Sequence, residues 1–293
     1  MKILIIGGSS VIGSKLLSYF LEQHITTEFT FFSNNIPYAK GLKLDVTQKD
    51  KTVELISNIN PDIVIHTVAL TNVDLCELNK TLTDSININT TVNVIEGCKI
   101  TKSKLVFIST SAIFNGEKQQ YSEEDSPSPS NYYGITKANA EKLVQRSNLP
   151  YLILRTDQPY CWVEKWQHTN SVLRVLQTIK SGKLLKEITN WYNTPTYVPD
   201  FVQITKKLID DNDKGTFHLV GSDFVNRYNW SLLVAEIFGL DKTLIEPMSS
   251  EMLNLPAKRA NVNLSNQKLF LKKNVQMMGI KDGLRKMLET KQI

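Results

Sequence analysis

Lys2-Ile3-Leu4-Ile5-Ile6, followed at once by Gly7-Gly8-Ser9-Ser10-Val11-Ile12-Gly13, restricts the fold of this chain more than any other stretch. The run lacks the polar alternation of a half-exposed strand, so it reads as a strand of a parallel sheet covered on both faces. Beyond the glycines, Val11, Leu16, Leu17 and Phe20 mark one face of a helix. Strand, glycine turn and helix N-terminus together make a dinucleotide cradle. The glycines let the backbone approach a pyrophosphate, and the helix dipole favours its charge. The turn follows a Gly-x-x-Gly-x-x-Gly pattern with Ser10 in the middle place, where a serine is expected to be tolerated rather than used.

The same rhythm continues. Strands are expected at Glu28 to Phe32, Leu42 to Val46, Ile63 to Thr67, Leu105 to Ile108 and Tyr151 to Leu154. Helices fall between them, one starting at Thr47 with Asp50 and one running from about Thr81 to Cys98. Such alternation signals an α/β fold, a doubly wound parallel (Rossmann) sheet. Asn115 to Ser130, rich in Glu, Ser and Pro, reads as a surface loop. His66, inside an apolar strand, reads as a core histidine with its hydrogen bonds satisfied. Beyond Arg155 the pattern changes to scattered aromatics, with helices expected near Thr169–Lys180, Asp200–Asp210, Trp230–Phe238 and Lys281–Glu289. The division expected is a dinucleotide-binding domain over 1–155 and a smaller, interleaved C-terminal substrate lobe over 156–293. Asp200, after Val198-Pro199, reads as a helix cap.

Chemistry concentrates at two places. Leu105 to Ile108 delivers Ser109-Thr110-Ser111 to the carboxyl end of its strand, the edge where ligands sit in open α/β sheets. In Asn131-Tyr132-Tyr133-Gly134-Ile135-Thr136-Lys137, Tyr133 and Lys137 lie four apart on one helical face. A phenol ionises near pH 10, and a neighbouring ammonium is expected to bring it toward the working range. A shift of about three units is worth about 4 kcal/mol. Such a pair suits proton transfer to an oxygen gaining or losing hydride.

Composition narrows the partners. A net charge of +5 without a Lys/Arg-rich run argues against nucleic acid. No apolar stretch approaches the ~18 residues of a membrane span, and the glycines cut the first run too early for a secretory leader. Cys76, Cys98 and Cys161 are scattered and the four histidines isolated, so neither disulfides nor a metal site is expected, and a cytoplasmic setting fits. Phe32-Ser33-Asn34-Asn35 offers no carboxylate for an adenosine 2′-hydroxyl, while Lys40 and Lys43 follow. NADP is therefore the expected cofactor, with NAD left open.

Taken together, the glycine turn, Leu44-Asp45-Val46-Thr47, Pro61 to His66, Ala69-Leu70-Thr71-Asn72-Val73-Asp74, Ile108-Ser109-Thr110, Tyr133 to Lys137, Leu154-Arg155-Thr156, Thr194 to Asp200 and Asn261 to Leu264 resemble the extended short-chain dehydrogenase/reductases. Within them the chain looks most like the dTDP-4-dehydrorhamnose reductase group. The resemblance implies Thr110, Tyr133 and Lys137 as a catalytic set. It implies a cofactor site of Gly7, Ser9, Ser10, Val11, Ile12, Gly13, Asp45, Val46, Ala69, Leu70 and Asn87 with Tyr133 and Lys137. It also implies a nucleotide-sugar site of Thr71, Val73, Thr110, Ser111, Trp162 and Arg259. Ser111-Ala112 stands where the group usually carries Asp-Tyr. A 4-epimerase, or a non-catalytic regulatory subunit resembling that of methionine adenosyltransferase, are the alternatives, and a homodimer is left open.

Overall fold

The computed structural model describes residues 1–290. In chain order, β1 (Lys2–Ile6), α1 (Val11–Glu22), β2 (Thr26–Phe31), β3 (Leu42–Lys43), α2 (Lys49–Ile59), β4 (Ile63–His66), α3 (Val73–Leu78), α4 (Lys80–Asp84), α5 (Thr90–Thr101), β5 (Lys104–Thr110), α6 (Tyr132–Gln145) and β6 (Tyr151–Thr156) alternate as the apolar runs predict. A further strand, Gly215–His218, joins them in a seven-stranded sheet ordered Gly215–His218, β6, β5, β4, β1, β2, β3. Every pairing is parallel.

Side chains alternate across each strand, and here both faces are apolar. Ile3, Ile5, Ile65, Val106 and Leu154 pack with Leu16, Leu17 and Phe20 of α1 and Phe201 and Leu208 of the helix Val198–Asp210. Leu4, Ile6, Val64, Leu105 and Ile153 pack the other way, with Ile56 of α2, Val94 and Cys98 of α5, and Ala140 and Val144 of α6. The helices Ser171–Lys180, Arg227–Ile237 and Ile280–Glu289 enclose a separate cluster containing Tyr160, Leu176, Trp230, Val234 and Leu284.

Four local expectations change. The third strand stops at Lys43 because Asp45 takes the Thr47 amide and hydroxyl at 3.0 and 2.7 Å, closing a turn. Thr47 is thereby spent, and α2 starts after Gln48 without a side-chain cap. The helix from Thr81 to Cys98 is interrupted by a π turn over Ser85–Asn89. The widened turn accompanies Asn87, whose side chain accepts from Leu70 N at 2.7 Å and donates to Leu70 O at 3.2 Å. Asp200 lies inside its helix, where it accepts the Met278 amide at 2.8 Å instead of capping.

His66 is only half satisfied. Nε2 lies 3.4 Å from the hydroxyls of Thr90 and Thr91, and Nδ1 has no partner. Burial, with Lys137 nearby, holds the imidazole down to about 3. A histidine depressed in the folded state stabilises fully above its unfolded value, and that contribution is lost as pH falls from 6.5 toward 3. Replacing His66 by Gln is expected to flatten the acid loss of unfolding free energy by about one proton, ~1.4 kcal/mol per pH unit between about pH 6 and 4. Denaturant titrations at several pH values check it, and an unchanged slope contradicts the burial argument.

Candidate active site

The N-terminus of α6 is set by the turn that follows β5. Asn131 caps the helix by accepting from Gly134 N at 2.9 Å, and its amide donates to the Lys258 carbonyl at 3.0 Å. Gly134 lies flat on the Ser111–Ile113 turn, where a Cβ would fall 2.0 Å from the Ala112 carbonyl. Tyr133, Lys137 and Glu141 then follow at four-residue spacing on the inner face, all buried. Lys137 donates to the Ile108 carbonyl at 2.7 Å and lies 3.9 Å from the centre of the Phe107 ring. Glu141 binds Arg155 of β6 at 2.7 to 3.2 Å. Tyr132 points elsewhere, its phenol on the Asp84 carboxylate at 2.9 and 3.0 Å.

The phenol does not behave as the Tyr-Lys spacing alone predicts. Burial pushes Tyr133 up to about 12; its contact with Thr110 pulls the other way, and neighbouring Cys76 and Asp157 add to the rise. Burial also pulls Lys137 down to about 7, with Glu141 opposing. The expected lowering of the phenol by the ammonium is therefore overturned. Desolvation dominates the phenol, and the Lys137 amine is directed to a backbone carbonyl instead. Tyr133 at neutral pH is a protonated phenol beside a hydroxyl, an arrangement suited to donating a proton. Thr110, at the end of β5, accepts from Ala112 N at 3.2 Å.

At the glycine turn, Gly7 has φ +85°, and a Cβ on Gly13 would fall 2.5 Å from the Gly7 carbonyl. No side chain beyond glycine fits that backbone floor, which suits a dinucleotide pyrophosphate. Ser10 is used, contrary to expectation. It caps α1 by accepting from Gly13 N at 3.1 Å and lies 3.0 Å from the Thr67 hydroxyl. Val11 and Ile12 pack half-buried against the core. The Ser9 carbonyl accepts from Gln167 at 3.0 Å and Trp166 at 3.4 Å, so a loop of the C-terminal half crosses the turn.

Asp45 sits beyond β3, its carboxyl held below the usual range chiefly by the Thr47 hydroxyl. The neighbouring Val46 carbonyl accepts from Asn93 at 2.9 Å. Ala69 and Leu70 leave the end of β4, and Asn87 ties Leu70 to Thr136 of α6 at 3.1 Å.

Of the remaining candidates, Thr71 is exposed and Val73 half-buried at the start of α3. Arg259 binds Asp74 at 2.8 Å and stands 5.9 Å from the Trp191 ring. Trp162 is tied elsewhere: its indole N–H donates to the Met287 carbonyl at 2.7 Å and its ring meets Phe238 edge-on in the second core. Two side chains at the junction carried no sequence signal of their own. Asp157 accepts from Ser111 at 2.8 Å. Arg227, held down to about 10 by burial, donates to Gln158 at 2.6 Å.

Known proteins share this fold. A dTDP-4-dehydrorhamnose reductase from Clostridium acetobutylicum superposes with a TM-score of 0.88, at 26% identity, covering 99% of both chains. The reductase of Bacillus anthracis, solved with NADP, gives 0.90 at 24% identity, covering 99% of this chain and 100% of that one, a likeness of fold. Methionine adenosyltransferase 2 subunit beta of Mus musculus is 25% identical over 274 residues, 92% of this chain and 81% of that protein. The family model of the RmlD substrate-binding domain matches residues 1–293, and the chain belongs to that family.

Proposed function

We propose that the chain reduces the 4-keto group of a nucleotide-diphosphate 6-deoxysugar, using NADPH. The observation that carries this reading is the cluster of Thr110, Tyr133 and Lys137 at the carboxyl edge of the sheet, in the same chain as the glycine turn. Gly7 to Gly13 would hold the pyrophosphate, with Asp45, Val46, Ala69, Leu70 and Asn87 along the rest of the dinucleotide. The bound nicotinamide supplies hydride. Tyr133 gives its proton to the oxygen that becomes the alcohol, and the Thr110 hydroxyl donates a hydrogen bond to the same oxygen. Lys137 holds the nicotinamide ribose and offsets charge near the phenol. The 156–293 lobe supplies Arg259 to the sugar nucleotide, beside Thr71, Val73 and Ser111. Trp162 is left to the lobe's core. A cytoplasmic enzyme, working as a homodimer, belongs to this reading.

The likeness to the methionine adenosyltransferase subunit supports a second reading, a cofactor-binding regulatory subunit. It predicts a stoichiometric partner chain and no turnover. The buried pairing of Tyr133 and Lys137 on one face of α6, beside the end of β5, favours the reductase.

Single-turnover NADPH oxidation with dTDP-4-dehydrorhamnose tests the roles. Tyr133→Phe is expected to slow turnover by about two to four orders of magnitude with cofactor affinity unchanged. Tyr132→Phe, whose phenol sits on Asp84, should leave the rate near wild type. Lys137→Met should weaken NADPH binding and turnover together. Equal rates for wild type and Tyr133→Phe sink the assignment.

Cofactor preference is a separate expectation. Phe32 to Asn35 are exposed and carry no carboxylate, and Lys40 and Lys43 are exposed nearby in sequence. NADPH should bind at least as tightly as NADH by calorimetry. A tenfold preference for NADH, about 1.4 kcal/mol, contradicts this.

A further inference from the structure

The ends of β5 and β6 lie in register, Thr110 against Thr156. The residues just beyond them join. Ser111 Oγ donates to Asp157 Oδ1 at 2.8 Å, while Oδ2 accepts the Thr194 amide at 2.8 Å and lies 3.4 Å from its hydroxyl. The Asp157 amide donates in turn to the Thr196 hydroxyl at 3.4 Å. One carboxylate therefore fastens three segments: the turn carrying Thr110, the end of β6, and the Thr194–Thr196 stretch of the second lobe. All of it is sealed, with Asp157 5% exposed, Ser111 7% and Thr194 2%.

Burying a carboxylate is expensive, and Arg227, itself engaged with Gln158, offsets only part of the charge. The double acceptor has a use that a neutral side chain lacks. An amide of the same shape accepts on one side, whereas a carboxylate accepts on both. It therefore fixes the Ser111 hydroxyl as a donor and holds the Thr194 backbone at once. Asp157 is also close enough to Tyr133 for its charge to act on the phenol.

We propose that Asp157 is a positioning residue, supplying a carboxylate from the end of β6 that holds the Thr110 turn and the Thr194 segment together around the reacting sugar. The sugar role rests on the reductase reading above. The clamp itself is a property of this chain.

The test compares wild type, Asp157→Ser, and the exchange variant in which Ser111→Asp is combined with Asp157→Ser, all as full chains. In single-turnover and steady-state NADPH oxidation with dTDP-4-dehydrorhamnose, Asp157→Ser is expected to lose about thirtyfold in kcat, with sugar KM within about threefold and NADPH affinity within about twofold of wild type. The exchange should recover about tenfold, because it restores one carboxylate to the same pair. An exchange variant no better than Asp157→Ser, or a loss of NADPH affinity in step with kcat, makes Asp157 a scaffold residue and overturns the proposal. Hydrogen exchange supplies a readout free of turnover. In Asp157→Ser, amides of residues 110–114 and of Asn193, Thr194, Thr196 and Tyr197 should lose protection together while those of α1 keep theirs. Loss in one segment alone, or in neither, overturns the clamp. A wild-type chain that oxidises no NADPH, yet shows the paired loss in the variant, contradicts the reductase reading and supports the clamp.

Discussion

Three buried polar side chains on one face of α6 hold this structure in working order. Tyr133 meets Thr110, Lys137 meets the Ile108 carbonyl, and Glu141 meets Arg155. Each is bound by a different point on β5 or β6, so the helix has one position on the sheet that satisfies all three. The deepest of them, Glu141 with Arg155, has both side chains 2% exposed. Taking away one partner of such a pair costs about 3–5 kcal/mol, because the other charge is left buried. Arg155 also lies 3.2 Å from His218 on the neighbouring strand. The registration of the Tyr133 phenol is thus inherited from an ion pair two helical turns away.

Burial reverses the naive electrostatics of that face. A tyrosine and a lysine four residues apart in water would favour phenolate beside ammonium. Here both charged forms are disfavoured by the apolar surroundings, the phenol rising and the amine falling. A neutral phenol is the right state for giving up a proton to an incipient alkoxide. Lys137, titrating near neutrality in the free chain, gains its charge most readily where an oxygen-rich neighbour favours it.

The sheet was legible because strands covered on both faces leave unbroken apolar runs, as in Lys2–Ile6 and Ile63–His66. Tyr133 and Lys137 were legible because helical spacing places them without reference to anything distant. What escaped depends on partners remote in sequence. The Ser10 hydroxyl is used because Thr67 comes to it across β1 and β4. Asp157 meets Ser111 46 residues away, and nothing in its own stretch of sequence marked it. Trp162, an aromatic in a promising stretch, was claimed by the carbonyl of Met287, 125 residues on. The π turn at Ser85–Asn89 follows from a side chain bridging to Leu70, which no helical propensity reports.

The strand Gly215–His218 has a consequence for how the molecule comes apart. It comes from the C-terminal half yet completes the sheet against β6, pairing Leu152 to Arg155. A chain ending at residue 155 would bare that edge, with its row of unpaired amides and carbonyls offered to any passing strand. It would also leave Arg155 without His218. The half of the chain that carries the glycine turn is consequently no portable module. An emerging chain carries an adhesive sheet margin until residues 215–218, nearly three quarters of the way along its length, arrive.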